Sequence, residues 1–297
     1  MTILNTILNI IQWKRLLYFS FIIFLAKFCF LFGFGFETIL SFFDLLLFTV
    51  SCTLLYASTY LLSFYYNNKT KRKDFKKIEL TSFLFVFTAI ILGVYFSFKI
   101  DNLYFSIVFF IISLLVFTYS KYSKENSFTR YLVKSFAIPI TIIFVLWLDE
   151  PVNLNNTQWN LFFKLQLIIV VYILLSFLNT LTEEIIKGIK NINKDNLKKL
   201  KTLPILLGRK RAKRIALAMM FTSALLITYL ALYFIKIKFL FFAVILFNWL
   251  PRVYLIYSLI KSSTNKDYKL LLKKMRYLHF FGLLGIVSIA YYFKYVI

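Results

Sequence analysis

Acidic residues are scarce in this chain. Of 297 residues only 12 are Asp or Glu, against 36 Lys and Arg, and no aspartate follows another at a three- or four-residue spacing. That is the spacing at which a helix places carboxylates on one face, so no single stretch supplies a carboxylate-rich metal cluster. There are 2 cysteines and 1 histidine. Cys29 and Cys52 sit inside apolar runs, where they read as small packing residues rather than a disulfide. No Cys/His metal cluster, no Ser-His-Asp set and no phosphate-binding glycine loop is present. The chain also has no Gly/Ser linker and no low-complexity tract. One polytopic membrane domain over 1–297 is expected.

What is present is apolar surface. The chain is 61% hydrophobic and 21% aromatic, with a mean hydropathy of +0.78. A soluble domain has no use for that much, whereas a bilayer core of roughly 30 Å takes about 20 apolar residues per helix. Runs of suitable length lie at 16–34, 40–64, 80–98, 103–119, 131–148, 161–181, 215–235, 239–260 and 277–293. Nine spans put 28 of the 36 basic residues on the side of the N-terminus and 4 on the other. This is the positive-inside pattern, with the N-terminus cytosolic and the C-terminus outside, and it requires an odd number of spans. The net charge of +24 is thereby explained as topology and attraction to anionic lipid headgroups, and nucleic acid is not an expected partner. An integral, multi-pass protein of the plasma (inner) membrane follows. Segment 1–12 is apolar at helical spacing, as an interfacial helix is.

Two cytosolic loops stand out, at about 65–79 and 182–214, each following a span and each mixing Asn with Lys. Residues 182–192 read as a continuation of the sixth helix beyond the membrane, broken by Thr202-Leu203-Pro204 and stopped at Gly208. Pro251 interrupts the eighth span. Arg252 beside it reads either as reaching an interface or water-filled cavity, or as contacting an anion. Lys134 reads as snorkelling to the cytosolic surface, Lys27 as facing the bundle interior, and His279 as a packed, hydrogen-bonded residue.

Residues 176–214, from Ser176 through Glu184, Lys187, Asp195 and Lys201 to Thr202-Leu203-Pro204 and Gly208, resemble the second signature region of the UbiA-type intramembrane prenyltransferases. The glycerol-phosphate geranylgeranyltransferase branch is the nearest pattern. Residues 119–121 and 13–17 add weaker likeness. The resemblance implies an all-α membrane protein with nine transmembrane helices in a UbiA-like bundle around a central apolar cavity. It implies transfer of a polyprenyl chain from an isoprenoid diphosphate, or another anionic lipid partner, to a lipid or aromatic acceptor. By the same resemblance Asp195, Asn191 and Glu184 are the catalytic candidates, and Lys71, Lys187 and Lys201 the diphosphate-binding ones. Asp195, Asn191 and Asn67 are the magnesium ligands. The family carries three aspartates in the second motif, where this chain has Gly188, Asn191 and Asp195. In the first motif the matching positions are Ser63-Phe64, Asn67 and Lys71, without any aspartate. A weakened magnesium site is therefore expected, with lysines holding phosphate directly. The alternative is a non-catalytic protein of the same fold that binds isoprenoid or anionic lipid, or serves an active enzyme as partner subunit. A transporter, which predicts broken helices and repeat symmetry, is a third reading.

Overall fold

A computed structural model describes residues 8, 10–31, 35–67, 76–122, 127–197 and 201–295. Lys71 and most of segment 1–12 lie outside the described residues, as does the side chain of Asn67. The helices in order are α1 Trp13–Phe30, α2 Phe42–Asn67, α3 Lys76–Lys99, α4 Tyr104–Tyr122, α5 Ser127–Leu148, α6 Asn156–Leu197, the short α7 Leu203–Leu207, α8 Arg209–Tyr233, α9 Lys238–Lys261 and α10 Asn265–Tyr295. Each hydrophobic run falls mainly on one of them. Among the described residues six helices, α2, α3, α6, α8, α9 and α10, are long and apolar enough to cross a bilayer. Their outward faces carry side chains such as Phe87 and Leu225, 62% and 71% exposed, which suit lipid and not water.

The chain divides into two compact units. The first comprises 1–26, 38–125 and 141–152. Its helices α2 and α3 pack through small residues. Ser51 Oγ donates to the Ala89 carbonyl at 3.3 Å and Ser82 Oγ to the Ser58 carbonyl at 3.2 Å. Small side chains let helix backbones approach closely, which is how helices associate in lipid. Phe109 of α4 lies against Gly93, where any Cβ would collide with its ring. Phe48 packs edge-on against Phe96 and Phe109. Asp44 belongs to a capping box at the start of α2: its carboxylate accepts from Ser41 N–H at 2.9 Å, while Ser41 Oγ accepts from Asp44 N–H. Lys99 and Tyr95 of α3 also bond to it.

The second unit comprises 27–37, 126–140 and 153–297. Its core gathers Leu181, Ile185, Ile186 and Ile189 of α6 with Ala212, Ala216 and Met220 of α8, and with Leu255 of α9 and Leu271 of α10. The 42 residues of α6 run unbroken to Leu197, about 63 Å at 1.5 Å per residue and twice a bilayer core. Lys201 and Thr202 are extended, and α7 then turns into α8 at Gly208. There φ is +83°, which only glycine adopts without strain. In α9 a π-helical turn, Ile245–Trp249, ends two residues before Pro251. Proline offers no N–H and its ring collides with the carbonyl four residues earlier, so the helix widens where it arrives.

Candidate functional site

Helix α6 carries two polar stripes, and the spacing of its residues explains both. At 3.6 residues per turn, Tyr172, Asn179 and Glu183 share one face, while Glu184, Gly188, Asn191 and Asp195 share another. Adjacent in sequence, Glu183 and Glu184 open in different directions.

The Glu184 stripe meets α5 and α7. Glu184 is buried, 7% exposed, and both its carboxylate oxygens are engaged. Lys187 Nζ donates to Oε1 at 2.7 Å and Lys134 Nζ of α5 to Oε2 at 3.4 Å. Lys134 therefore points at a carboxylate rather than snorkelling, because a buried carboxylate one helix away attracts it more strongly than distant headgroup water does. Gly188 is buried between Tyr131 and Pro204. A Cβ placed on it would stand 2.5 Å from Tyr131 Oη and 3.1 Å from the proline ring, so these two residues fill the space a side chain needs. Asn191 and Asp195 follow on the same stripe, half-buried. Lys201 is exposed beyond the end of α6, next to the buried Thr202, whose hydroxyl has no hydrogen-bond partner.

The Glu183 stripe faces α9 and α10. Lys187 Nζ lies 2.8 Å from Glu183 Oε1, so one ammonium bridges the two stripes. The only histidine, His279 of α10, places Nε2 3.4 Å from Glu183 Oε2. One turn deeper Asn179 accepts from Arg252, and Asn248 donates to the Tyr172 hydroxyl.

The structure thus joins Glu184 and Lys187 in one ion-pair cluster and sets Asn191 and Asp195 along the same face. The remaining candidates, Asn67 by its side chain and Lys71, lie outside the described residues. Among the described residues no three His, Cys, Asp or Glu side chains converge as metal ligands. On the stripe Glu184 is paired with two lysines, Gly188 offers no side-chain ligand atom, Asn191 offers a neutral amide oxygen and Asp195 a carboxylate. Sequence reasoning passed over Glu183, whose pairing with Lys187 four residues on is readable in the helix spacing. Lys134 and His279 carry no such local signal, being 50 and 96 positions from their partners.

Residues 79–282 match the UbiA prenyltransferase family. No curated protein matches the chain in sequence. Among solved structures, one of digeranylgeranylglyceryl phosphate synthase is similar, with a TM-score of 0.72 at 16% identity over 97% of this chain and 98% of that one. A UbiA homologue from Archaeoglobus fulgidus bound to DMAPP and Mg2+ gives 0.61 at 14% identity, covering 95% of this chain and 98% of that one. A UbiA homologue from Archaeoglobus fulgidus bound to GPP and Mg2+ gives 0.56 at 14% identity, covering 95% of this chain and 99% of that one. At such identities the likeness establishes the fold, which is the all-helical fold of UbiA proteins. With six helices able to span, the chain is an integral multi-pass membrane protein.

Proposed function

Because the chain belongs to the UbiA prenyltransferase family, we propose that it is a divergent prenyltransferase moving a polyprenyl chain from an isoprenoid diphosphate to a lipid or aromatic acceptor. The same reading takes nine spans in the plasma membrane with the N-terminus cytosolic, around the apolar cavity that the family resemblance implies. The observation that carries this reading is the stripe Glu184, Gly188, Asn191 and Asp195 on α6, with Pro204 folded back against Gly188. It unites the residues of the signature in one place. In the reaction the allylic C–O bond breaks and its electron pair leaves with the diphosphate. Lys187 and Lys201, with Lys71 as the sequence resemblance implies, would stabilise that departing charge. The allylic cation takes an electron pair from an acceptor oxygen or ring carbon, and the acceptor's proton passes to the released diphosphate. A bound magnesium ion would supply further positive charge toward the departing diphosphate. On the family resemblance Asp195 and Asn191, with Asn67, would be the residues to hold that ion, and the lysines would share its role.

The test supplies purified full-length protein with labelled geranylgeranyl diphosphate and either glycerol-phosphate or aromatic acceptors across a magnesium series. Labelled prenylated product is expected. Absence of product with every acceptor at every magnesium level sinks the catalytic reading. The occupation of both Glu184 oxygens by lysines favours the second reading, a non-catalytic binder of isoprenoid or anionic lipid or a partner subunit. That reading is supported by an isoprenoid that co-purifies and is never converted.

A further inference from the structure

The charges inside the second unit, buried or half-buried, are not treated alike. Glu184 meets two lysines, and Glu183 meets Lys187 and His279. Arg252 meets no carboxylate among the described residues. It is 2% exposed and ranks among the largest fully enclosed side chains. Nη2 donates to Asn179 Oδ1 at 3.2 Å and Nη1 donates weakly to the Asn248 carbonyl at 3.5 Å. Nε has no hydrogen-bond partner. Both oxygens that hold it are neutral, so the charge itself is uncompensated. A guanidinium taken out of water without a counter-ion is strongly unfavourable, and such a residue inside a membrane span marks a functional position.

Its surroundings are built, not accidental. The π-helical turn Ile245–Trp249 ends three residues before Arg252, and π turns of this kind favour functional sites. Asn248, within that turn, also donates to Tyr172 Oη at 3.4 Å. Gly285 of α10 makes room for the pair, since a Cβ there would meet Tyr172 Oη at 2.9 Å and the Asn248 amide still closer. Groups from α6 and α9 thus hold the guanidinium with its Nε edge uncommitted. A planar fork in this state matches a carboxylate or phosphate, whose two oxygens accept from Nε and a remaining Nη hydrogen.

We propose that Arg252, steadied by Asn179 and Asn248, is a binding site for the anionic group of a membrane-soluble amphiphile, a phosphate monoester or carboxylate on an apolar chain. Depth argues for the apolar chain. Arg252 is nine residues from the end of α9 at Lys261, about 13 Å along the helix axis. On another face of α9 a groove of about 540 Å³ runs between α9 and α10, lined by Phe247, Pro251 and Leu255; Asn248 and Arg252 do not line it. Lys274 is the only charged residue lining that groove, and it already lies over the Tyr254 ring and donates to Ser258. The site stands independently of prenyl transfer and holds for the catalytic and the non-catalytic reading alike.

The test measures affinity of the full-length protein, in neutral phosphatidylcholine nanodiscs, for dodecyl phosphate, dodecanoate, dodecanol and inorganic phosphate. The two anionic amphiphiles are expected to bind and dodecanol to bind at least about tenfold more weakly, the scale of one charge-assisted hydrogen bond. Arg252→Gln is expected to abolish that preference, while Lys274→Gln leaves it within about twofold. Arg252→Met, which replaces an unpaired buried charge by an apolar side chain, serves where the glutamine variant does not fold. Unchanged preference in the Arg252 variants overturns the proposal, as does loss of preference in Lys274→Gln instead. Inorganic phosphate competing as well as dodecyl phosphate assigns the site to an aqueous anion and also overturns it. Failure of both Arg252 variants to fold assigns the guanidinium to the architecture and rejects the ligand.

Discussion

The two polar stripes of α6 begin one residue apart and end in different circumstances. On the Glu183 side the polar groups descend into the bundle, held by His279, Asn179 and Arg252 across three helices. On the Glu184 side they follow the helix outward, through Gly188 and Asn191 to Asp195 and the turn at Pro204. Lys187 joins the two by reaching both carboxylates. The difference teaches that the residues resembling the family's signature lie on the outer stripe, whereas the buried cation with no carboxylate partner among the described residues lies on the inner one. A sequence motif marks the first; only the assembled structure exposes the second.

The largest expected effect comes from forcing the outer stripe back toward a carboxylate. Gly188→Asp places a Cβ against Tyr131 Oη and the Pro204 ring. Overpacking of this kind is expected to destabilise the protein by about 2 kcal/mol or more. Tyr131→Phe removes the nearest of the opposing atoms, so the double variant is expected to be more stable than the sum of the single changes implies. Thermal unfolding of the three purified variants reads this coupling. Strict additivity would show that Tyr131 does not occupy the missing side chain's place. If the double variant also gains magnesium-dependent turnover, the outer stripe is the reaction mouth.

A second, smaller contrast lies between the two glutamates. Glu184→Gln leaves Lys134 and Lys187 facing a neutral amide, whereas Glu183→Gln loses Lys187 and a histidine that is charged only when protonated. Both lysines are about a quarter exposed, 28% and 25%, so solvent screens part of each interaction. About 1–2 kcal/mol is expected for Glu184→Gln and less for Glu183→Gln, measured by denaturation in the same detergent. The reverse order would place the structural weight of the cluster on the inner stripe.

Sequence reading reached the helices because membrane spans announce themselves by length and apolarity. Runs 161–181 and 239–260 correspond to α6 and α9, and the helical continuation past residue 181 followed from the lack of a breaker before Pro204. Pro251 signalled an interruption, though its form, a π-helical turn at Ile245–Trp249, depends on packing with α6 and α10. The scarcity of acids was legible, but their employment was not. Asp44 and Asp267 are committed to capping boxes with Ser41 and Thr264. That spacing was open to inspection and passed over. Glu184's capture by Lys134 was invisible because a salt bridge 50 residues apart leaves no local trace. Arg252 was noticed as an interruption. Its enclosure by Asn179 and Asn248 came from the fold alone.

The smallest structural effect is expected at Lys201, and that makes it the sharpest test of what the outer stripe is for. Lys201 is exposed and sits beyond α6, unlike Lys187, which ties the half-buried Glu183 to the buried Glu184. Lys201→Ala should change stability by less than about 0.5 kcal/mol, as surface substitutions do. Lys187→Ala should cost more, because it strands Glu183 and Glu184 with one partner fewer. If Lys201 helps stabilise a departing diphosphate, its loss lowers kcat/KM for the prenyl donor, or its binding, by about tenfold while unfolding is unmoved. Unaltered turnover and donor binding would reduce Lys201 to one more positive charge on the cytosolic face. The outer stripe would then keep the family's frame without its phosphate contact, and the inner stripe with Arg252 would be the better place to look for a ligand.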